Sequence, residues 1–225
     1  MNLLEKDLND RKIDYLTLNS IEYCRLREKY RIEGFIAGIQ NKSVTKKLVL
    51  VTRKNQINSL RDLKNKKIII DQANSGDIPF IWLDTLLLKA KLPVHQKFFA
   101  SVKKTNKPSQ SVMPVYFGQD ADACILTENA FNVISELNPN IAEKLVVLIV
   151  SPAFLSNIFC ATPSTARDMK KRLFDLIGDM NVNPKTKQGM ALFKMDSLVP
   201  FEQEYIKSVE DLIREYDELI KRSER

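Results

Sequence analysis

The stretch Ser59-Leu60-Arg61-Asp62-Leu63-Lys64-Asn65-Lys66-Lys67-Ile68-Ile69-Ile70-Asp71 leads through Gln72 and Ala73 to Asn74-Ser75-Gly76-Asp77 and then to an apolar run at 78–90. Ser59 to Leu63 spells a short capped helical turn, and the three consecutive isoleucines of 66–71 mark a strand buried on both faces. The polar turn 74–77 separates that strand from a helix in which Trp82, Leu86 and Leu87 share a face. A buried strand feeding a helix through a short polar turn is the repeating unit of α/β folds with helices on both faces of the sheet.

The same alternation continues outward. Upstream, 3–9 reads as a helix, 13–18 as a strand, 20–30 as a helix capped by Asn19 or Ser20 with Glu22 in its first turn, and 35–39 and 47–52 as strands. Downstream, the pattern predicts strands at 97–100, 121–126, 145–151 and 157–161. Helices are expected at 109–117, 128–137, 164–180, 186–193 and 201–222, that at 128–137 ending at Asn138-Pro139. His95, the only histidine, falls in the connection 92–98 and reads as an exposed loop residue. The last helix carries Ile206, Val209, Leu212, Ile213, Tyr216, Leu219 and Ile220 on one stripe, which docks onto a core or pairs with a further module.

With 225 residues, 44% hydrophobic and 28% charged, the chain has the composition of a folded protein of one large domain or two lobes. Its apolar runs fall well short of the ~20 residues that span a bilayer. Met1-Asn2-Leu3-Leu4-Glu5-Lys6 lacks the pattern of a secretory signal, so the chain as written reads as cytoplasmic, and as periplasmic or membrane-associated if a signal has been removed. Cys24, Cys124 and Cys160 have no metal-ligand spacing and read as free thiols, with no disulfide, metal or cofactor implied. The net charge of +7 comes from basic residues scattered among acidic ones, a solvated surface without a nucleic-acid motif.

Residues 59–68 are similar to the "SLxDLKGKxI" passage that opens the second lobe of type II periplasmic binding proteins. Within that group the chain resembles the phosphate, phosphite and phosphonate binding family of ABC transporters. Four further stretches carry the likeness: Asn74-Ser75-Gly76, the segment 82–88, the run 114–124, and Glu136-Leu137-Asn138-Pro139. The resemblance covers about 7–216. Arg11 to Leu16 stands almost at the N-terminus in place of a passage that relatives reach only after a strand, helix and strand, so the first lobe is expected to be incomplete and its open edge to favour a homodimer. The resemblance implies two α/β lobes, 1–51 with 162–225 and 52–161, joined by hinge strands near 48–53 and 157–162 that close on a solute between them. It implies ABC permease and ATPase partners and a small anionic solute bound without chemistry.

In open α/β sheets, ligands sit beyond the carboxyl ends of strands, where helix N-termini offer N–H groups and partial positive charge. Four loops meet that description, giving Tyr15, Thr17 and Asn19 from the first lobe, and Asn74, Ser75, Gly76, Asp77, Ser109, Gln110, Thr127 and Glu128 from the second. Each has a plainer reading: helix capping for Ser75, Asp77 and Ser109, packing for Tyr15, dipole compensation for Glu128, and exposed loop charge for the adjacent Lys103, Lys104 and Lys107. Asp77 departs from the family, because a desolvated carboxylate at the anion turn repels a dianion. No nucleophile–base pair, glycine-rich phosphate loop or metal cluster appears, which favours a binder over an enzyme. A ligand-sensing domain of a signalling protein and a biosynthetic enzyme on the same fold, of the menaquinone or thiamine-precursor kind, remain the alternatives.

Overall fold

The computed structural model describes residues 3–73, 75–192 and 195–223. In chain order the elements are α1 (Leu3–Asn9), β1 (Tyr15–Asn19), α2 (Ser20–Tyr30), β2 (Glu33–Ile39), β3 (Thr45–Arg53), β4 (Lys67–Asp71), α3 (Ile78–Lys89), α4 (His95–Phe98), β5 (Ser101–Thr105) and α5 (Pro108–Phe117). They continue with β6 (Ala123–Thr127), α6 (Glu128–Leu137), α7 (Pro139–Lys144), β7 (Leu145–Leu155), β8 (Asn157–Ala161), α8 (Arg167–Val182), α9 (Pro184–Leu192), β9 (Ser197–Pro200) and α10 (Lys207–Ser223). The chain divides into two compact units, one holding Met1–Thr45 with Phe154–Val209, the other Lys46–Ala153 with Glu210–Arg225. The chain passes from one unit to the other within β3, within β7 and within α10, whereas the expected boundaries fell at 51/52 and 161/162.

The first unit is built on a four-stranded sheet in the order β1-β8-β2-β9, antiparallel throughout. β8, read from the sequence as a crossing strand, is a central one: it pairs with β1 and β2, and Ile158, Cys160 and Ala161 are fully buried. The short β9 has no strand signature of its own. It is held by pairing to β2 and by Asn181, whose Nδ2 donates to the Leu198 carbonyl at 2.8 Å while its Oδ1 accepts from Leu198 N at 2.7 Å. Ile36, Ile177, Met190 and Leu198 form the core on this side, with Phe35, Phe159, Met180 and Met195 packed around them.

Asn19 ends β1 and caps α2. Its Oδ1 accepts from Glu22 N at 2.9 Å, and the Glu22 carboxylate accepts from Asn19 N at 3.2 Å, a complete capping box. The expected result of Asn19→Ala is a loss of about 1 kcal/mol in denaturant unfolding followed by circular dichroism, with Asn19→Asp close to the parent. Equal losses for the two variants would contradict the cap.

The second unit holds a five-stranded sheet in the order β5-β4-β6-β3-β7. β5, β4 and β6 are parallel, and β3 runs antiparallel to β6. Val49, Val51, Ile69, Cys124 and Leu126 point to one face and meet Val112 and Val115 of α5, Phe131 of α6 and Ile141 of α7. Leu50, Ile68, Ile70 and Ile125, fully buried, alternate to the other face. Gly118 closes α5 at φ +70, where a Cβ would lie 2.2 Å from Arg53 Nη1, so the turn and the Arg53 side chain exclude larger residues.

Two sequence expectations are corrected in this unit. Residues 97–100, expected as a strand, contain the end of the helical turn α4, and the strand β5 begins only at Ser101. His95 is not an exposed loop residue: it is 8% exposed and starts α4, and its Nδ1 lies 2.9 Å from both carboxylate oxygens of the buried Asp84. The backbone N–H of His95 also donates to Asp84 Oδ1 at 2.6 Å, so the carboxylate of α3 nucleates the turn. α3 is buried on nearly every side, from Ile78 through Thr85 and at Leu87, rather than on the single face its sequence suggests.

The stripe on the last helix is largely covered. Ile206, Val209 and Leu212 are buried, while Ile213, Tyr216, Leu219 and Ile220 are half-buried. Glu215 of α10 pairs with Lys89 of α3 at 2.8 Å. No helix among the described residues is long and apolar enough to cross a membrane.

Candidate functional site

Because β5, β4 and β6 are parallel neighbours, their carboxyl ends at Thr105, Asp71 and Thr127 share one edge of the second sheet. Strands are spaced ~4.8 Å apart, so the three ends lie within about 10 Å, the reach of one small solute. Each end leads into a helix, so the N-termini of α3, α5 and α6 collect at this edge, each carrying about half a positive charge.

The β4–α3 turn is set from within. Asp71 Oδ1 accepts from Ala73 N at 3.1 Å, Gln72 Nε2 donates to the Gly76 carbonyl at 3.2 Å, and the buried Ser75 donates its hydroxyl to the Ala73 carbonyl at 3.3 Å. Gly76 adopts φ +52, a left-handed conformation that lets the backbone turn into α3. Asp77 is the exposed N-cap residue of α3, yet its side chain makes no capping bond, and Ser75 is engaged elsewhere. The capping expected of these two residues is therefore not made. Asn74, the first residue expected in this turn, lies outside the described residues.

At the start of α5 the N-cap residue Lys107 likewise caps nothing with its side chain. Ser109 and Gln110 are exposed in the first turn, Thr105 Oγ1 donates to Gln110 Oε1 at 2.9 Å, and the buried Ser111 donates to the Pro108 carbonyl at 2.7 Å. Lys103 and Lys107 are exposed, and the ammonium of Lys104 lies 4.6 Å from the centroid of the Phe80 ring. α6 differs: Thr127 accepts from Ala130 N at 3.3 Å and caps it, and Glu128 sits half-buried in the first turn. α3 and α5 thus start without a side-chain cap, the N–H groups of Ile78, Phe80 and Gln110 donating to the backbone carbonyls of Ser75, Asp77 and Lys107, whereas α2 and α6 are capped.

The residues expected from the other unit have separate roles. Tyr15 begins β1 opposite Ala161 and packs on Phe35 at a ring separation of 5.9 Å, Thr17 is exposed mid-strand, and Asn19 serves the capping box. Four residues of strand place Tyr15 about 13 Å from Asn19, so the three do not form one cluster. Sequence reasoning missed Asp71 and Gln72, which shape the turn. A buried carboxylate at the end of an apolar strand, just before a polar turn, was the available signal.

Beneath these loops Cys124 is fully buried, and burial followed by the nearby Asp71 carboxylate pushes its thiol far above the ordinary range. Cys160 in the first unit is pushed up to about 12 by burial. Both are protonated at neutral pH and behave as small apolar residues. Among the described residues no group of three or more His, Cys, Asp or Glu side chains is placed to hold a metal ion.

Residues 2–205 match the family model described as "ABC transporter, phosphonate, periplasmic substrate-binding protein". No curated protein matches the sequence. Among solved structures, XAC2383 from Xanthomonas citri bound to ATP superposes with a TM-score of 0.70 at 11% identity, over 97% of this chain and 82% of that one. A binding protein component of an ABC phosphonate transporter from Pseudomonas aeruginosa, PA3383, gives 0.67 at 14% identity over 95% and 72%. PhnD1 from Prochlorococcus marinus in complex with methylphosphonate gives 0.63 at 17% identity over 96% and 84%. The order of motifs from Ser59 to Pro139, the mixed α/β units and the family match agree: this chain belongs to the phosphonate-type periplasmic substrate-binding proteins of ABC transporters.

Proposed function

We propose that the protein binds a small phosphate- or phosphonate-like oxyanion, without chemical change, and hands it to the permease and ATPase of an ABC uptake system. The observation that carries this reading is the pair of uncapped helix starts, α3 and α5, next to each other at the carboxyl edge of a parallel sheet. Two neighbouring helix starts without a side-chain cap, with their dipoles directed to the same sheet edge, suit an oxyanion. Ser75, Gly76, Ser109 and Gln110 supply hydroxyl, backbone and amide contacts in this reading, and Thr127 and Glu128 border the site and meet any cationic part of the solute. The methylphosphonate complex of PhnD1 and the ATP complex of XAC2383 are consistent with ligands that present phosphorus oxyanions.

Calorimetric titration with phosphate, phosphite, methylphosphonate, a sulfonate and a carboxylate tests the proposal. At least one of the phosphorus oxyanions is expected to bind and to stabilise the fold by about 2.7 kcal/mol at a hundredfold excess over Kd. Asp77→Ser is expected to tighten binding of a dianion several-fold by removing a like charge beside it. Heat from none of the five would end the oxyanion reading. Weaker binding after Asp77→Ser would show instead that the carboxylate accepts a donor of the solute.

A further inference from the structure

The first unit carries a second basic feature at the other end of its sheet. β1 and β8 pair antiparallel from Tyr15↔Ala161 to Asn19↔Asn157, so the segments before Tyr15 and after Ala161 leave the sheet together, away from the α2 N-terminus. There a cavity of about 400 Å³ is lined by Arg11, Lys29, Tyr30, Arg31, Thr162 and Ser164 among others, and none of its lining residues is acidic. Lys29 pairs with Glu5 at 3.2 Å, outside the lining. Arg11 and Arg31 form no ion pair among the described residues, and both are exposed.

The ordinary account of these cations is that they offset helix C-termini, since α1 and α2 both end here. That account is too small for the charge present: two helix ends bring about −0.5 each at most, against two unpaired guanidinium groups, Lys29 being offset by Glu5. Tyr30 lines the cavity, and the ammonium of Lys29 lies 4.7 Å from the centroid of its ring. Ser164, exposed at the rim, lies 2.6 Å from Thr162 Oγ1, and the two hydroxyls donate to the Ile13 carbonyl at 3.1 and 2.6 Å.

We propose that this cavity is a binding site for a phosphate group carried on a larger molecule, held by the guanidinium forks of Arg11 and Arg31. Guanidinium matches phosphate oxygens in pairs, and the volume exceeds what one inorganic phosphate fills, so a diphosphate or phosphate ester is the fitting class. The site belongs to the first unit and the uncapped helix starts to the second, so it stands whether or not those bind an oxyanion.

Titration with inorganic pyrophosphate, and flotation with vesicles containing phosphatidylglycerol, separate a soluble phosphate from a lipid headgroup. The parent protein is expected to bind one of these two probes, with affinity falling as salt rises. Arg11→Gln/Arg31→Gln is expected to weaken that binding at least tenfold while leaving the circular dichroism spectrum and any methylphosphonate titration unchanged. Since both side chains are exposed, the double variant is expected to fold, and Arg31→Gln alone provides an intermediate loss. Failure of the parent to bind either probe, or undiminished binding by the double variant, would overturn the site.

Discussion

His95→Leu is expected to destabilise the second unit by about 3 kcal/mol, the upper end of the cost of leaving a buried hydrogen-bonding group without its partner. Trp82, the only tryptophan, is buried in the same unit, so its fluorescence during urea unfolding reports the change directly. The size follows from the surroundings of Asp84. Its side chain is 7% exposed, both carboxylate oxygens lie 2.9 Å from His95 Nδ1, and among the described residues only the backbone N–H of His95 would remain as a partner. The ring also packs on Phe80 at 5.3 Å, so its removal loosens the floor beneath Lys104. Asp84→Leu alone strands the histidine in the same way. The double variant Asp84→Leu/His95→Leu removes both groups together and is expected to cost less than the sum of the singles by about 1–3 kcal/mol. Single variants within about 0.5 kcal/mol of the parent would show that the pair is ornamental.

That pair also marks where sequence reading stops. The strand 66–71, the turn after it and the helix at 78–90 were legible because burial on both faces gives an unbroken apolar run and the turn residues interrupt it. The cap at Asn19 was legible because Glu22 completes a pattern of fixed spacing. No such spacing links Asp84 to His95: they meet because α3 and α4 fold against each other, and a separation of eleven positions leaves no periodic trace. β9 was invisible for a related reason, since Ser197-Leu198-Val199-Pro200 becomes a strand only through its pairing with β2 and the grip of Asn181. In the candidate site the helix starts could be read from Pro108, Thr127 and the polar turn before Ile78. Which of those helices lacks a cap could not, because Ser75 and Asp77 are good capping residues whose side chains the folded turn directs elsewhere.

Phe98→Ala is expected to be the most damaging single substitution considered for this unit, at about 3–5 kcal/mol, a large part of the 5–15 kcal/mol that holds a domain of this kind together. Had 97–100 been a strand, alternation would have put Phe98 and Phe99 on opposite faces, one of them facing away from the core. The helical turn buries both, at 1% and 6% exposure, with their rings edge to face at 5.0 Å. Backbone bonds fix the turn in place: Asn65 N donates to the Phe98 carbonyl and Ala100 N to the Lys66 carbonyl, each at 2.9 Å. The side chain therefore cannot withdraw to let neighbours collapse into the space, and the truncated residue leaves a cavity. Lys97→Ala, one position earlier and exposed, should change stability by no more than about 0.5 kcal/mol. Midpoints read from Trp82 fluorescence for these two variants and for Phe99→Ala decide between turn and strand: a strand would make Lys97 and Phe99 respond alike, whereas the turn requires Phe98 and Phe99 to respond and Lys97 to stay silent.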